Sequence, residues 1–383
     1  MITRADRWQV RTQRPIAYDV IKAPRLFDAD NRRLFDYGRS DGGRRFVVVD
    51  ANVDHLHGKA IRDWFAHQGI EARVVVFPGG EEHKTIALYQ DILRELDGFL
   101  IHRRDEPIIA IGGGVLTDVV AFVAATYRRG IPHIKVPTTL MGYIDAALGI
   151  KAGINFNGNK NRLGSFEPPA AVLLDKHFLR TLPARHLRNG VCEIVKLAVV
   201  CDADLFERLE RDGARCIETA FLDAAGDAIL DAAIQGMLTE LEPNLHEDQL
   251  ARKVDFGHSF SYGLETRHEQ HLLHGEAVLL DVLVSTELAL SRGLLGQRQA
   301  ERVFGLVASL GIDLDPGVLD AEVMWQSLLD RIEHRNGLQR VPVPNGIGSC
   351  TFLNDIARRE LDAAVPALHA RLKVTHEPSC ERR

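Results

Sequence analysis

Glu193 and Lys196 stand three residues apart in the run Glu193-Ile-Val-Lys196, and His258 and His274 follow later in the chain. On a helix that spacing puts both side chains on one face, where a lone Glu-x-x-Lys is more often a surface ion pair than a site. The two histidines change that weighing, because one carboxylate and two imidazoles with a coordination position left over make a catalytic zinc set. His268, His271 and His274 form a ladder spaced by three, but spacing alone does not make a ligand set. A second constellation is Ile111-Gly-Gly-Gly-Val-Leu-Thr-Asp118, between an apolar run and an apolar segment. Bare glycine N–H groups at the positive end of a helix suit a diphosphate, and so a dinucleotide; a tight strand-to-helix turn without a ligand explains the triplet as often. For Asp118, charge complementarity to the helix N-terminus is an equal explanation. Lys151, Lys160, Asn161 and Lys196 gather cationic and amide donors of the kind that hold a phosphate leaving group. Lysines usually mark a solvated face, yet these fall within motifs of a 383-residue chain whose formal net charge is −6.

Positioning such residues takes regular elements. Residues 46–50, 72–77, 108–111 and 133–136 are rich in valine and isoleucine, which predicts buried parallel strands with room between them for crossover helices. Past Pro168-Pro169 the pattern turns to long helical segments, 189–210, 224–242 and 275–291, separated by Gly, Pro and Asn. The expected architecture is an α/β nucleotide-binding domain over residues 1–165 and a mostly α-helical domain over 166–383, with a ligand cleft between them. A hydrophobic content of 45% with 26% charged residues is ordinary for a soluble globular protein, and the acidic balance argues against nucleic acid or an anionic membrane as partner. Cys192, Cys201, Cys216, Cys350 and Cys380 are odd in number and lack paired metal spacing, which points to a reducing cytoplasm. The first residues lack the apolar core of a signal peptide, and no run approaches the roughly 18 apolar residues of a membrane span.

Read in order, Gly80-Glu-Glu-His-Lys84, the glycine triplet with Asp118, Tyr127-Arg-Arg-Gly130, Lys160-Asn161, Glu193-Ile-Val-Lys196, Asp255-Phe-Gly-His258 and His274-Gly-Glu-Ala277 resemble the sugar phosphate cyclase family. Its best known member is 3-dehydroquinate synthase, and the resemblance runs from about Phe46 to Asp355. It implies an NAD cofactor on Asp50, Asn52, Glu81, Lys84, Gly113, Gly114, Val115, Asp118, Thr138, Thr139, Lys160 and Thr181. It also implies a zinc or cobalt ion on Glu193, His258 and His274; only His274 matches the metal motif, which leaves His268 and His271 as surface residues. Catalytic roles fall to Lys151, Lys196, Asp145 and Asp255, and substrate contacts to Arg129, Asn161, Leu241, His334 and Arg340, with Arg335 beside the last. Arg129 resembles an arginine that reaches the substrate phosphate from a neighbouring subunit, which implies a homodimer acting on a small-molecule sugar phosphate.

Dehydroquinate synthases generally carry an arginine seven residues before the first metal histidine and an asparagine three before it; this chain has Ala251 and Asp255. Exchanging a cation for an anion disfavours a carboxylate substrate, since like charges about 4 Å apart repel by about 4 kcal/mol at an effective dielectric of about 20. These changes resemble the branch that cyclises sedoheptulose 7-phosphate, and Leu241, Asp255 and His334 resemble its 2-epi-5-epi-valiolone synthases. Tyr262 and Ala152 depart from that subgroup, where proline and threonine are common, so 2-epi-valiolone, desmethyl-4-deoxygadusol and 3-dehydroquinate synthases stay open as alternatives. The implied reaction uses NAD as a recycled reagent: oxidation of a carbinol, β-elimination of phosphate, reduction, then intramolecular aldol closure. An NAD- and metal-dependent polyol dehydrogenase is the alternative of a different class, and it would release NADH.

Overall fold

A computed structural model describes residues 7–38 and 43–376; Cys380 lies outside them. Its strands are β1 (Asp19–Lys22), β2 (Arg45–Asp50), β3 (Ala72–Phe77), β4 (Ile108–Gly112), β5 (His133–Pro137), β6 (Lys151–Phe156), β7 (Asn159–Phe166), β8 (Ala171–Leu174), β9 (Val341–Gly346) and β10 (Ser349–Leu353). Six of them make a parallel sheet in the order β1-β8-β5-β4-β2-β3, while β6–β7 and β9–β10 are antiparallel pairs. The valine and isoleucine runs are strands: β2, β4 and β5 are buried on both faces, the edge strand β3 is partly exposed, and successive residues point to opposite sides. Val47 and Val49 of β2 pack with Ile61 and Trp64 of α1 (Ala51–His67). Phe46 and Val48 pack instead with Ile92 of α2 (Ile86–Asp97) and Val120 of α3 (Gly114–Thr126). The sheet runs past residue 165, because after Pro168-Pro169 the apolar run Ala171–Leu174 returns to lie between β5 and β1.

From β2 the chain passes outward to β3 and then back to β4 on the other side of β2. The order therefore reverses between β2 and β4, and open α/β sheets bind ligands beyond the strand ends at such a point. Asp50 ends β2 there and Gly112 ends β4.

The helical part comprises α4 (Ala184–Val200), α5 (Ala203–Glu218), α6 (Ala224–Leu241), α7 (Ser261–Arg267), α8 (His274–Ser291), α9 (Gln297–Ser309), α10 (Ala321–His334) and α11 (Arg358–His376). The single helix expected over residues 189–210 is two, because Asp202 accepts a hydrogen bond from Leu205 N at 3.0 Å and starts α5. Helix α8 is buried from Gly275 to Ala289 and forms the centre of the helical core, with α4 packed along it. His274-Gly-Glu is the joint between these two helices. Gly275 N donates to Asn189 Oδ1 at 2.7 Å, and a Cβ at Gly275 would fall on the Asn189 carbonyl oxygen. Glu276 accepts from Leu273 N at 2.9 Å, closing the start of α8, and pairs with Arg185 Nε at 2.7 Å. Seven residues along α8, Asp281 accepts from Phe260 N and from Ser261 N at 3.0 Å, so α7 is anchored to α8 at its first turn.

The close contact at Gly275 sets an expectation for stability. Gly275→Ala should force α8 away from α4 and lower the unfolding free energy by about 1–3 kcal/mol, the usual cost of overpacking. Denaturant unfolding followed by circular dichroism checks this, and a variant as stable as the parent contradicts it.

Candidate active site

Glu193 from the middle of α4, His258 from the segment between the turn Lys253–Asp255 and α7, and His274 from the start of α8 offer ligand atoms that all lie within 4.8 Å of one another. Glu193 is fully buried, and its Oε1 accepts no hydrogen bond. That oxygen faces His274 Nε2 at 3.5 Å and His258 Nε2 at 3.9 Å. Each ring is turned by its other nitrogen, His258 Nδ1 against Phe256 O at 3.1 Å and His274 Nδ1 against Glu265 Oε2 at 3.3 Å. A buried carboxylate oxygen without a partner, with two imidazole nitrogens directed at it, is a nitrogen and oxygen donor set that fits zinc or cobalt. His271 is exposed and His268 half-buried, and neither joins the cluster.

Charge explains how this carboxylate survives burial. The Lys196 ammonium, itself buried, lies against Glu193 Oε2, so the two residues share a face in the interior rather than on the surface. Burial alone would raise the Glu193 carboxyl, but Lys196 and the two imidazoles outweigh it and hold the group below the usual carboxylate range. Burial, followed by the Lys196 cation, pushes His258 down to about 3, so its ring stays neutral. At His274 burial acts in the same direction, but the carboxylates of Glu193 and Glu265 overcome it and raise the imidazole to about 10. Asp145, in the turn Gly142–Ala146, is pushed up by burial and then by the charge of Glu193.

The dinucleotide candidates collect at the carboxyl ends of the strands. Gly113 caps α3 and Gly114 opens it; a Cβ on Gly113 would sit 3.1 Å from the Thr139 methyl, and one on Gly114 3.0 Å from the Ala146 methyl. Val115 follows, half-buried, in the first turn of α3. Thr138 N donates to Gly112 O at 2.9 Å, and Thr139 Oγ1 accepts from Gly142 N at 3.1 Å. Asp50 caps α1 through Asn52 N at 2.8 Å, while Asn52 itself is exposed. Asp118 lies beyond the first turn of α3, so the helix-end explanation gives way to an ion pair with Lys84 Nζ at 2.7 Å. The same ammonium donates to Asn161 Oδ1 at 2.6 Å, and Glu81 accepts from Asn155 Nδ2 at 2.7 Å. Thr181 follows β8 and bonds His57 Nε2 at 2.9 Å. Lys160 faces the metal cluster, its ammonium 2.7 Å from Glu265 Oε1.

Asp255 departs from its expected setting. Its carboxylate accepts from Arg252 Nη2 at 2.6 Å and Arg335 Nη2 at 2.5 Å, with Arg331 at 3.5 Å. Burial would raise this carboxyl, yet the guanidiniums, Arg252 first, lower it. Asp255 is thus a compensated charge rather than a free anion, and the charge argument drawn from Ala251 and Asp255 does not hold in its simple form. Lys151 is largely exposed and pairs with Glu247, which also takes Arg252. Leu241 ends α6 with its Cδ1 3.7 Å from where a Cβ on Gly149 would be. The Arg340 guanidinium bonds the Arg335 carbonyl oxygen and so braces the turn that carries Arg335. His334 closes α10, and its side chain lies outside the described residues. Arg129 is exposed just past the 13-residue helix α3, whose rise of about 1.5 Å per residue sets it about 20 Å from the glycine turn. Glu265, Arg252 and Arg331 complete the surroundings without having been legible as site residues; the four-residue spacing of Arg331 in α10 and Arg335 just past its end was the one available signal.

Residues 74–189 match the model for the 3-dehydroquinate synthase N-terminal region, and residues 190–334 the model for its C-terminal region. A protein named 2-epi-5-epi-valiolone synthase from Streptomyces albus is 46% identical over 366 residues, covering 94% of this chain and 89% of the relative. Another of that name from an Actinoplanes species is 46% identical over 372 residues, covering 95% and 94%. Among solved structures, ValA, the 2-epi-5-epi-valiolone synthase of Streptomyces hygroscopicus with NAD+ and Zn2+ bound, superposes with a TM-score of 0.91 at 42% identity, covering 95% of this chain and all of ValA. With both halves of the family model matched end to end and such relatives along nearly its whole length, the chain belongs to the 3-dehydroquinate synthase family of sugar phosphate cyclases.

Proposed function

We propose that this chain converts sedoheptulose 7-phosphate into 2-epi-5-epi-valiolone and inorganic phosphate, using NAD and a zinc or cobalt ion, with no net redox change. The observation that carries this reading is the set of buried Glu193 with half-buried His258 and His274 beside the Lys84, Asn161 and Lys160 series, in a chain akin to synthases of that product. Bound NAD supplies a hydride acceptor that gives the hydride back, and the ion supplies a Lewis acid for a substrate hydroxyl.

The chain's own groups supply the rest. Glu193, His258 and His274 would hold the ion, and Asp50, Glu81, Lys84, the glycine turn, Thr138 and Thr139 the dinucleotide. Lys196, sealed against Glu193, balances the buried negative charge and presents a fixed cation to an oxygen that gains charge during reaction. Lys151 and Asn161 provide donors for the phosphate. Exposed Arg129, which resembles an arginine that reaches a neighbouring subunit's substrate, serves the site of a second copy in a homodimer. Asp255 pairs with Arg252, Arg331 and Arg335 and so occupies guanidiniums that would otherwise be free to take a carboxylate.

Two outcomes follow. Incubated with sedoheptulose 7-phosphate, NAD+ and Zn2+ or Co2+, the protein should release phosphate at catalytic turnover while absorbance at 340 nm stays flat; NADH growing in step with substrate loss would indicate a dehydrogenase. Asp255→Ala should cost about 3–5 kcal/mol of stability, because it leaves buried guanidiniums without their partner. It should also shift the ratio of kcat/KM values toward the carboxylated 3-deoxy-arabino-heptulosonate 7-phosphate. Melting curves and kinetics on both substrates check this, and an Asp255→Ala enzyme of unchanged stability and unchanged preference contradicts it.

A further inference from the structure

We infer that Glu265 is the positioning residue of the metal centre and that Lys160, near the tip of the β6–β7 hairpin, holds Glu265 in place. This rests on the reading of Glu193, His258 and His274 as metal ligands. An imidazole that offers Nε2 to a metal carries its proton on Nδ1, and the acceptor found by Nδ1 sets the plane of the ring. His258 finds that acceptor locally, in the carbonyl of Phe256 two residues before it. At His274 the contact to Nδ1 comes from a different helix, from Glu265 Oε2 at 3.3 Å. Glu265 lies in α7, whose first turn is tied to α8 by Asp281, so its backbone is fixed relative to His274. Its other oxygen takes Lys160 Nζ at 2.7 Å, and both side chains are almost enclosed, 12% and 13% exposed. A carboxylate this enclosed needs a compensating cation, and Lys160 provides it.

The consequence reaches the sheet. Asn161, next to Lys160, accepts from Lys84, and Lys84 pairs with Asp118 on the helix that follows the glycine turn. The hairpin tip thus links the dinucleotide end of the sheet to a metal ligand by consecutive polar contacts.

The test uses the whole protein, stripped with a chelator and titrated with Co2+ against a chromophoric competitor. Glu265→Gln should bind Co2+ about 10–100-fold more weakly than the parent, the range typical for loss of a group that orients a metal-bound histidine. Its cobalt visible absorption should also differ from the parent's, a change that general loosening of the fold at an unchanged site would not produce. Lys160→Met should weaken binding several-fold, and the double variant should bind no more weakly than Glu265→Gln alone, because the two act in series. Glu269→Gln, an exposed neighbour 3.9 Å from Lys160, should behave as the parent. Parent-like affinity and spectrum in Glu265→Gln would overturn the inference. If that variant does not fold, parent-like affinity in Lys160→Met overturns it equally. His274→Ala binding Co2+ as tightly as the parent would instead remove the ligand reading itself, and the inference with it.

Discussion

The carboxylate of Glu193 is buried in the core, and the rest of the structure is organised around keeping it there. Taking an ion of that size out of water costs several kcal/mol even after relaxation, so the group persists only with positive charge in contact and its lone pairs directed at partners. Lys196, one turn along α4, brings the charge to one oxygen. The other oxygen is left to His258 and His274, which come from elements that must be held against α4 by packing. The Gly275–Asn189 contact sets the approach of α8 to α4, and the Asp281 carboxylate sets the start of α7 against α8. Each contact belongs to the fold, and each also fixes a side chain of the cluster.

The sheet side obeys a different constraint, the reversal of strand order between β2 and β4. There the strand ends bring Asp50, the glycine turn and Thr138 together, and the buried Lys84 ammonium is balanced by Asp118. The β6–β7 hairpin joins the two systems, since Asn161 meets Lys84 on the sheet side and Lys160 meets Glu265 on the helical side.

Much of this was legible in the sequence because it is encoded locally. The apolar runs of β2, β3, β4 and β5, the glycine triplet, and the Glu-x-x-Lys pair depend on near neighbours or on a repeating period. What was not legible depends on distant contacts. The short strand β8 joins the sheet only through its pairing with β5 and β1, and the break between α4 and α5 was signalled by nothing more than Asp202 in an apolar stretch. Asp255 was recognisable from its place before His258, but Arg331 in α10 and Arg335 just past it, which pair with its carboxylate, lie far along the chain. Glu265 carried no spacing signal, because it meets His274 only after the chain turns from α7 into α8.

The most direct test of the account is X-ray absorption at the zinc edge of the metal-loaded protein. Scattering from two imidazoles and a carboxylate oxygen, with metal–ligand distances of about 2.0–2.2 Å and no sulfur, is the predicted result for an ion on Glu193, His258 and His274. A spectrum without imidazole scattering, or one dominated by sulfur at about 2.3 Å, would place the metal elsewhere and leave the buried Glu193 carboxylate without the role proposed for it.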